Sequence, residues 1–260
     1  MTELILSLPE WLGICVAMLL ATAVGITVYL VSHRLISIHQ DGDIKDPTSS
    51  LFRVVGMLVS LMLSLAFAEV VVQLNTIKNA LQREAIAISD TYSHLRLFDL
   101  ERTREIRTSL LDYTKAIFED DWPALAEDKL GQRTEALQQR FLSQILDLQP
   151  RTDHQKRVMS WIEQDVDVIN DARLQRLNGA LAQPPVYIYV IIFGFFVTMA
   201  CFGAYRPQRP LIILASFYTS FVGLVLYLIL ALSDPFQGGF GVAPDTFVQL
   251  LENLQLSKEL

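Results

Sequence analysis

Glu69 is the single ionisable side chain in the apolar run Val54 to Leu74. A carboxylate at membrane depth costs on the order of several kcal/mol unless it is paired, protonated or wetted. Two kinds of chemistry follow. Glu69 either faces an aqueous path for ions or sits at the membrane interface, where the apolar run ends at Leu74, and bonds to a neighbouring helix. Ser60 and Ser64 lie one helical turn apart in the same run, with Gly56 a turn further back. Small residues at this spacing suit close helix contact, or the lining of a narrow conduit in an oligomer. The histidines His33, His39, His94 and His154 have no H-E-x-x-H spacing, and neither a phosphate-binding glycine loop nor a G-x-S-x-G elbow occurs. Cys15 and Cys201 both fall in apolar windows, which leaves no framework for a disulfide or a thiolate metal site. No catalytic residue, metal or cofactor is therefore assigned, and the chain is not read as an enzyme.

The elements that must position Glu69 and the serines are membrane helices. The chain has 260 residues, is 52% hydrophobic and only 19% charged. That is too apolar for an ordinary soluble domain of this length. Four windows approach the roughly 20 residues needed to cross a hydrocarbon core: 11–31, 54–74, 186–204 and 211–232. Ala21-Thr22-Ala23 resembles a signal-peptide cleavage site, but Glu3 and the lack of an early Lys or Arg favour a retained first span. The short loop Tyr205-Arg206-Pro207-Gln208-Arg209-Pro210 forces an antiparallel hairpin of spans three and four. The net charge of −7 argues against nucleic acid as a partner.

The expected fold class is all-α: a polytopic membrane protein with four transmembrane helices and a helical bundle inserted between helices two and three. The division is 1–74 for the first helix pair, 75–185 for the bundle, 186–232 for the second pair and 233–260 for a Gly-rich exit loop and C-terminal helix or tail. From Met57 to Trp122 there is neither Gly nor Pro, so the second span can continue out of the bilayer as a stalk. Ile77, Leu81, Ala85, Ile88, Tyr92 and Leu95 form its apolar stripe, which needs partner helices and points to a homo-oligomer. Asp99 is placed to cap a helix carrying Ile106, Leu110, Tyr113 and Ile117, and Asp121-Trp122-Pro123 is read as the turn that stops it. Leu137, Phe141, Ile145 and Leu148 mark a third amphipathic stretch, and Val158, Ile162 and Ile169 a fourth. Gly179 is expected as a helix C-cap before Pro184-Pro185.

Arg34, Lys45, Arg53, Arg206 and Arg209 lie in or beside the two short loops. The positive-inside rule puts those loops in the cytoplasm of a bacterial inner membrane and the termini and bundle on the periplasmic side. After the last span, Leu232 to Val242 must form a specific turn. Pro235 withholds a backbone donor, Gly238, Gly239 and Gly241 permit unusual backbone angles, and Asp234 can accept bonds from the turn it opens. Phe236 and Phe240 would anchor it at the interface, either as a membrane-exit cap or as a loop contacting an ion.

The run Asp234-Pro235-Phe236-x-Gly238-x-x-Gly241-Val242 resembles the signature of a bestrophin-like family of bacterial integral membrane proteins. Asp121-Trp122-Pro123 resembles the family's acidic-Trp-Pro element. Arg173-x-x-Arg176, the Glu84-Ala85 pair and the stretch Arg107 to Tyr113 also look like family positions. The resemblance implies four membrane helices and a helical extramembrane region. Bestrophins are pentameric anion channels lined by their second membrane helix, so it further implies an ion-conducting homo-oligomer, with the lipid bilayer and small inorganic ions as partners. A non-conducting scaffold or sensor whose bundle binds another protein is the alternative. Bestrophins keep the central region in the cytosol, which opposes the charge-based topology.

Overall fold

The computed structural model describes residues 10–38, 45–127, 129–180, 186–236 and 241–256. Its helices are α1 (Glu10–Ile38), α2 (Lys45–Phe98), α3 (Arg104–Ala116), a π-helical segment (Ile117–Asp121), α4 (Trp122–Leu125), α5 (Gln132–Leu146), α6 (Asp153–Ala180), α7 (Ile188–Phe202), α8 (Arg209–Ser233) and α9 (Asp245–Leu256). No strand occurs among the described residues. Gly238, Gly239, Phe240, His39 and the Pro184-Pro185 pair lie outside them.

With no Gly or Pro after Met57, α2 runs unbroken for 54 residues. The chain divides into two units, Met1–Val72 with Gln183–Gly241, and Gln73–Ala182 with Val242–Leu260. The first holds α1, the opening part of α2, α7 and α8. Among the described residues, three helical stretches are long and apolar enough to cross a membrane: Trp11–Ile36, Thr48–Phe98 and Arg209–Ser233. The third expected span, Val186 to Ala204, carries among the described residues the shorter apolar helix α7. There α7 has 15 residues, about 22 Å of helix against a core of about 30 Å. Its end is set by three successive i→i−3 bonds, from the N–H groups of Gly203, Ala204 and Tyr205 to the carbonyls of Ala200, Cys201 and Phe202. They tighten the last turn until the chain reverses. The hairpin itself forms, with Phe195 stacked on Tyr218 at 6.5 Å between ring centroids. On α2, Val59, Leu63, Ala66 and Val70 pack against Ile188 and Ile191 of α7 and Ile229 of α8.

In the second unit the stripe Ile77, Leu81, Ala85, Ile88, Tyr92 and Leu95 is buried. This corrects the inference that the stripe calls for a second copy, because the chain's own helices cover it. Gly179 lies inside α6 rather than capping it. A Cβ there would stand 2.5 Å from Ile77 Cγ1, so its lack of a side chain serves the approach of α6 to α2. Asp99 does not cap α3 either. Its Oδ1 accepts the N–H groups of Glu101 and Arg102 at 3.2 and 3.1 Å and so shapes the preceding turn, while the N-cap position is Thr103, whose side chain makes no capping bond. Asp121-Trp122-Pro123 is likewise not a stop. The helix widens into the π segment and resumes as α4, with the Trp122 N–H reaching the Ile117 carbonyl. Pro123 has no N–H for the carbonyl four residues back and its ring crowds that carbonyl, a conflict the widened turn relieves.

Candidate functional site

The family-like positions converge at the centre of the second unit. Glu84 from α2, Asp121 at the end of the π segment and Arg176 from α6 are each 0% exposed. Arg176 grips Glu84 with two donors, Nε to Oε2 at 3.0 Å and Nη2 to Oε1 at 3.2 Å. Its Nη1 donates to Asp121 Oδ2 at 2.9 Å. The Tyr113 hydroxyl of α3 donates to Glu84 Oε1 at 2.9 Å, and the Gly131 N–H to Asp121 Oδ1 at 3.1 Å. Every carboxylate oxygen therefore has a donor, which is what a charge cluster removed from water requires.

Local sequence sets each member in place. Glu84 belongs to the buried face that also carries Leu81, Ala85 and Ile88. The π segment delivers Asp121 to the interior. Neighbouring Asp120 turns its Oδ2 to the Thr134 N–H at 2.9 Å, tying down the first turn of α5. A Cβ on Gly131 would stand 2.4 Å from Asp121 Oδ1 and 3.0 Å from the Asp121 Cα, so only glycine lets the backbone donor come this close. Trp122 meets Phe247 of α9 edge to face at 6.3 Å, and Phe141 of α5 stacks on Tyr113 at 6.5 Å. Pro123 is exposed. Arg173, one turn before Arg176, is half-buried and its Nε is a buried atom with no hydrogen-bond partner among the described residues.

Burial alone would push the Arg176 guanidinium down, but the Glu84 and Asp121 carboxylates outweigh it and hold it above its ordinary value. Burial also lifts the Tyr113 phenol well above its usual range. The Glu84 charge adds to that rise, and the Arg176 and Arg173 charges oppose it. Arg176 thus stays charged and Tyr113 stays a donor. The cluster contains no nucleophile and base paired for catalysis; what it does is lock α2, α3, the π segment and α6 together. A second link joins α2 to α6, with His94 Nδ1 2.7 Å from Asp165 Oδ2 and the His94 ring 5.4 Å from that of Trp161. No group of three or more metal-ligating side chains occurs among the described residues.

The intramembrane candidates lie apart from that cluster. Ser60, Ser64 and Glu69 are all exposed on α2. Ser60 donates to the Gly56 carbonyl at 2.9 Å, and a Cβ added at Gly56 would meet nothing within 4 Å. At about 100° per residue, Glu69 stands roughly 180° around the helix from Ser60 and 140° from Ser64. On a straight helix Glu69 therefore faces away from the two serines. Close helix contact is made elsewhere, where a Cβ on Gly223 of α8 would lie 2.4 Å from the Ala21 Cβ of α1. At the end of α8, Asp234 is half-buried, Pro235 and Phe236 are buried and Gly241 is half-buried.

In the sequence, Glu84 and Arg176 are marked by the family resemblance and Tyr113 by its place on an apolar helical stripe. Gly131 was missed because a lone glycine near a loop gives no sign of the carboxylate it must approach.

A family model for the bestrophin-like domain matches residues 14–247. No curated protein matches. Among solved structures, the chain is similar to a bacterial bestrophin homologue from Klebsiella pneumoniae determined by Zn-SAD phasing, with a TM-score of 0.66, 14% identity, and coverage of 93% of this chain and 97% of that one. A point mutant of the same homologue gives a TM-score of 0.66 at 14% identity, covering 95% and 100% of the two chains. At that identity the likeness establishes the shared all-helical fold. Together with the match over most of its length, it places this membrane protein in the bestrophin-like family.

Proposed function

We propose that the protein is a homo-oligomeric ion channel of the bacterial inner membrane in which the Gly56, Ser60 and Ser64 flank of α2 lines the path. One observation carries this reading: that flank, which Met57 and Phe67 share, is hydroxyl-bearing and uncovered, whereas the adjoining face bearing Val59, Leu63, Ala66 and Val70 is packed on α7 and α8. A ring of serine side chains offers permeating ions hydroxyl dipoles without a fixed charge. Glu69 falls outside this line, so its carboxylate does not face the anions that bestrophins carry. The family relation to bestrophins supports conduction over catalysis. The buried Arg176 cluster gives the extramembrane unit the rigidity of a frame, and the loop cations Arg34, Arg53, Arg206 and Arg209 support cytoplasmic loops with the bundle on the periplasmic side.

The test is cysteine accessibility in a chain lacking Cys15 and Cys201. In proteoliposomes, Ser64→Cys is expected to lose most of its flux on treatment with a charged thiol reagent, while Met62→Cys keeps it. Equal sensitivity at the two positions contradicts the assignment. The alternative, a non-conducting scaffold or sensor, draws support from Leu146, Trp161 and Leu174, large apolar residues exposed on the extramembrane unit. Absence of flux from folded, inserted protein would favour it.

A further inference from the structure

Within the membrane unit, a groove runs between α2 and α7. Leu58, Val59 and Met62 form one wall, and Val190, Phe193 and Val197 the other, around a cavity of about 210 Å³. Cavities of ~150 Å³ already take benzene-sized apolar guests. Gly194 sets the floor: a Cβ there would stand 2.4 Å from Val59 Cγ2, so the two helices meet closely beneath the opening. Leu58, Val190 and Phe193 are exposed at its rim.

Glu69 shares this flank. From Met62 to Glu69 is seven residues, which brings the side chain back to within about 20° of the same direction and about 10 Å further along the axis. In each leaflet the headgroup layer adds roughly 5 to 8 Å beyond the hydrocarbon. Met62 and Glu69 are therefore spaced as an acyl tail and its headgroup are. Between Arg53 and Lys78 no other ionisable residue occurs on α2, so the carboxylate has no cation of its own helix nearby. On the opposite wall, Tyr187 precedes Val190 and Ile191 by one turn on the same face. Its hydroxyl is buried without a hydrogen-bond partner among the described residues.

We propose that this groove binds a membrane phospholipid whose headgroup carries an ammonium, with one acyl chain between α2 and α7 and the ammonium on Glu69. The rim is wholly apolar, unlike the polar border of a protein interface. A negative carboxylate at headgroup depth selects a cation-bearing headgroup and repels a purely anionic one. Glu69 is then neutralised by lipid. The proposal requires only that these helices lie in a bilayer, so lipid retention can be read whether or not the protein conducts.

The experiment uses the full chain in detergent micelles doped with equal mole fractions of dioleoyl phosphatidylethanolamine and dioleoyl phosphatidylglycerol, with retained lipid identified by native mass spectrometry. The wild type should retain the ethanolamine lipid over the glycerol lipid by about three- to tenfold, the range of a partly screened charge-assisted contact. Glu69→Gln should bring that ratio close to one with total retention within about twofold, and Leu58→Trp, which fills the groove from its rim, should lower retention of both lipids. Equal retention of the two lipids by the wild type overturns the proposal, as does a preference that survives Glu69→Gln. So does efficient disulfide crosslinking of Leu58→Cys between two copies, which would make the occupant a second protomer.

Discussion

Replacing Arg176 by methionine should destabilise the extramembrane unit severely. In the wild type one guanidinium meets Glu84 at 3.0 and 3.2 Å and Asp121 at 2.9 Å, with all three side chains fully buried. Without it, two carboxylates remain in a site that water does not reach. Breaking one buried pair by deleting a partner costs about 3 to 5 kcal/mol. At roughly 3 to 6 °C per kcal/mol for a unit of this size, the melting temperature should fall by about 9 to 30 °C. Trp122, 9% exposed and packed on Phe247, supplies the fluorescence signal for thermal melts in detergent. Arg176→Lys keeps the charge but loses the two-donor grip and should fall between the two. The double variant Arg176→Met with Glu84→Gln leaves one buried carboxylate instead of two and should melt above Arg176→Met alone, with a coupling of about 0.5 to 3 kcal/mol. A single variant melting within 2 °C or so of wild type, or strictly additive losses in the double, would refute the reasoning.

Asp165 should make stability fall with rising pH in the acid range. Its carboxyl is held above its ordinary value chiefly by burial, with His94 opposing. The folded chain then keeps that proton at a pH where the unfolded chain has released it, so the stabilisation is complete in acid and is lost as pH rises through the folded value. Asp165→Asn should flatten this slope in melts across the acid range, and an unchanged slope would remove Asp165 as its source. In the membrane unit, Gly223→Ala forces a methyl to within 3.0 Å of the Ala17 carbonyl oxygen and should cost about 1 to 3 kcal/mol. Gly56→Ala meets open space and should be neutral or stabilising by up to about 1 kcal/mol, as helix propensity dictates. Paired thermal stability measurements in detergent check the contrast.

The helices were legible because the period of their apolar residues is a local property. Ile77 through Leu95 needed no tertiary information to be recognised as one buried face. What covers that face is not legible: the stripe fits a coiled coil with a second copy or a bundle of the chain's own helices, and α6 and its neighbours fill the role. Gly179 was misread for a related reason: a glycine near a helix end looks the same whether it terminates the helix or admits Ile77. The Asp121-Trp122-Pro123 element carried a genuine break in α-helical bonding, but sequence could not tell a stop from a π widening that continues into α4. Glu84, Tyr113 and Arg176 were each picked out from separate segments. Their meeting at one point depends on the packing of four elements, which no spacing within a single segment encodes. The opposition of Glu69 to Ser60 and Ser64 was available from the helical period alone.

Conduction along the serine flank of α2 is tested most directly by anion and cation flux into proteoliposomes, measured before and after a membrane-impermeant charged thiol reagent, with Ser64→Cys and Met62→Cys compared in a background lacking Cys15 and Cys201. The proposed path predicts protein-dependent flux that the reagent abolishes at Ser64→Cys and spares at Met62→Cys. Flux equal to that of empty vesicles, from protein shown to be folded and inserted, would contradict it.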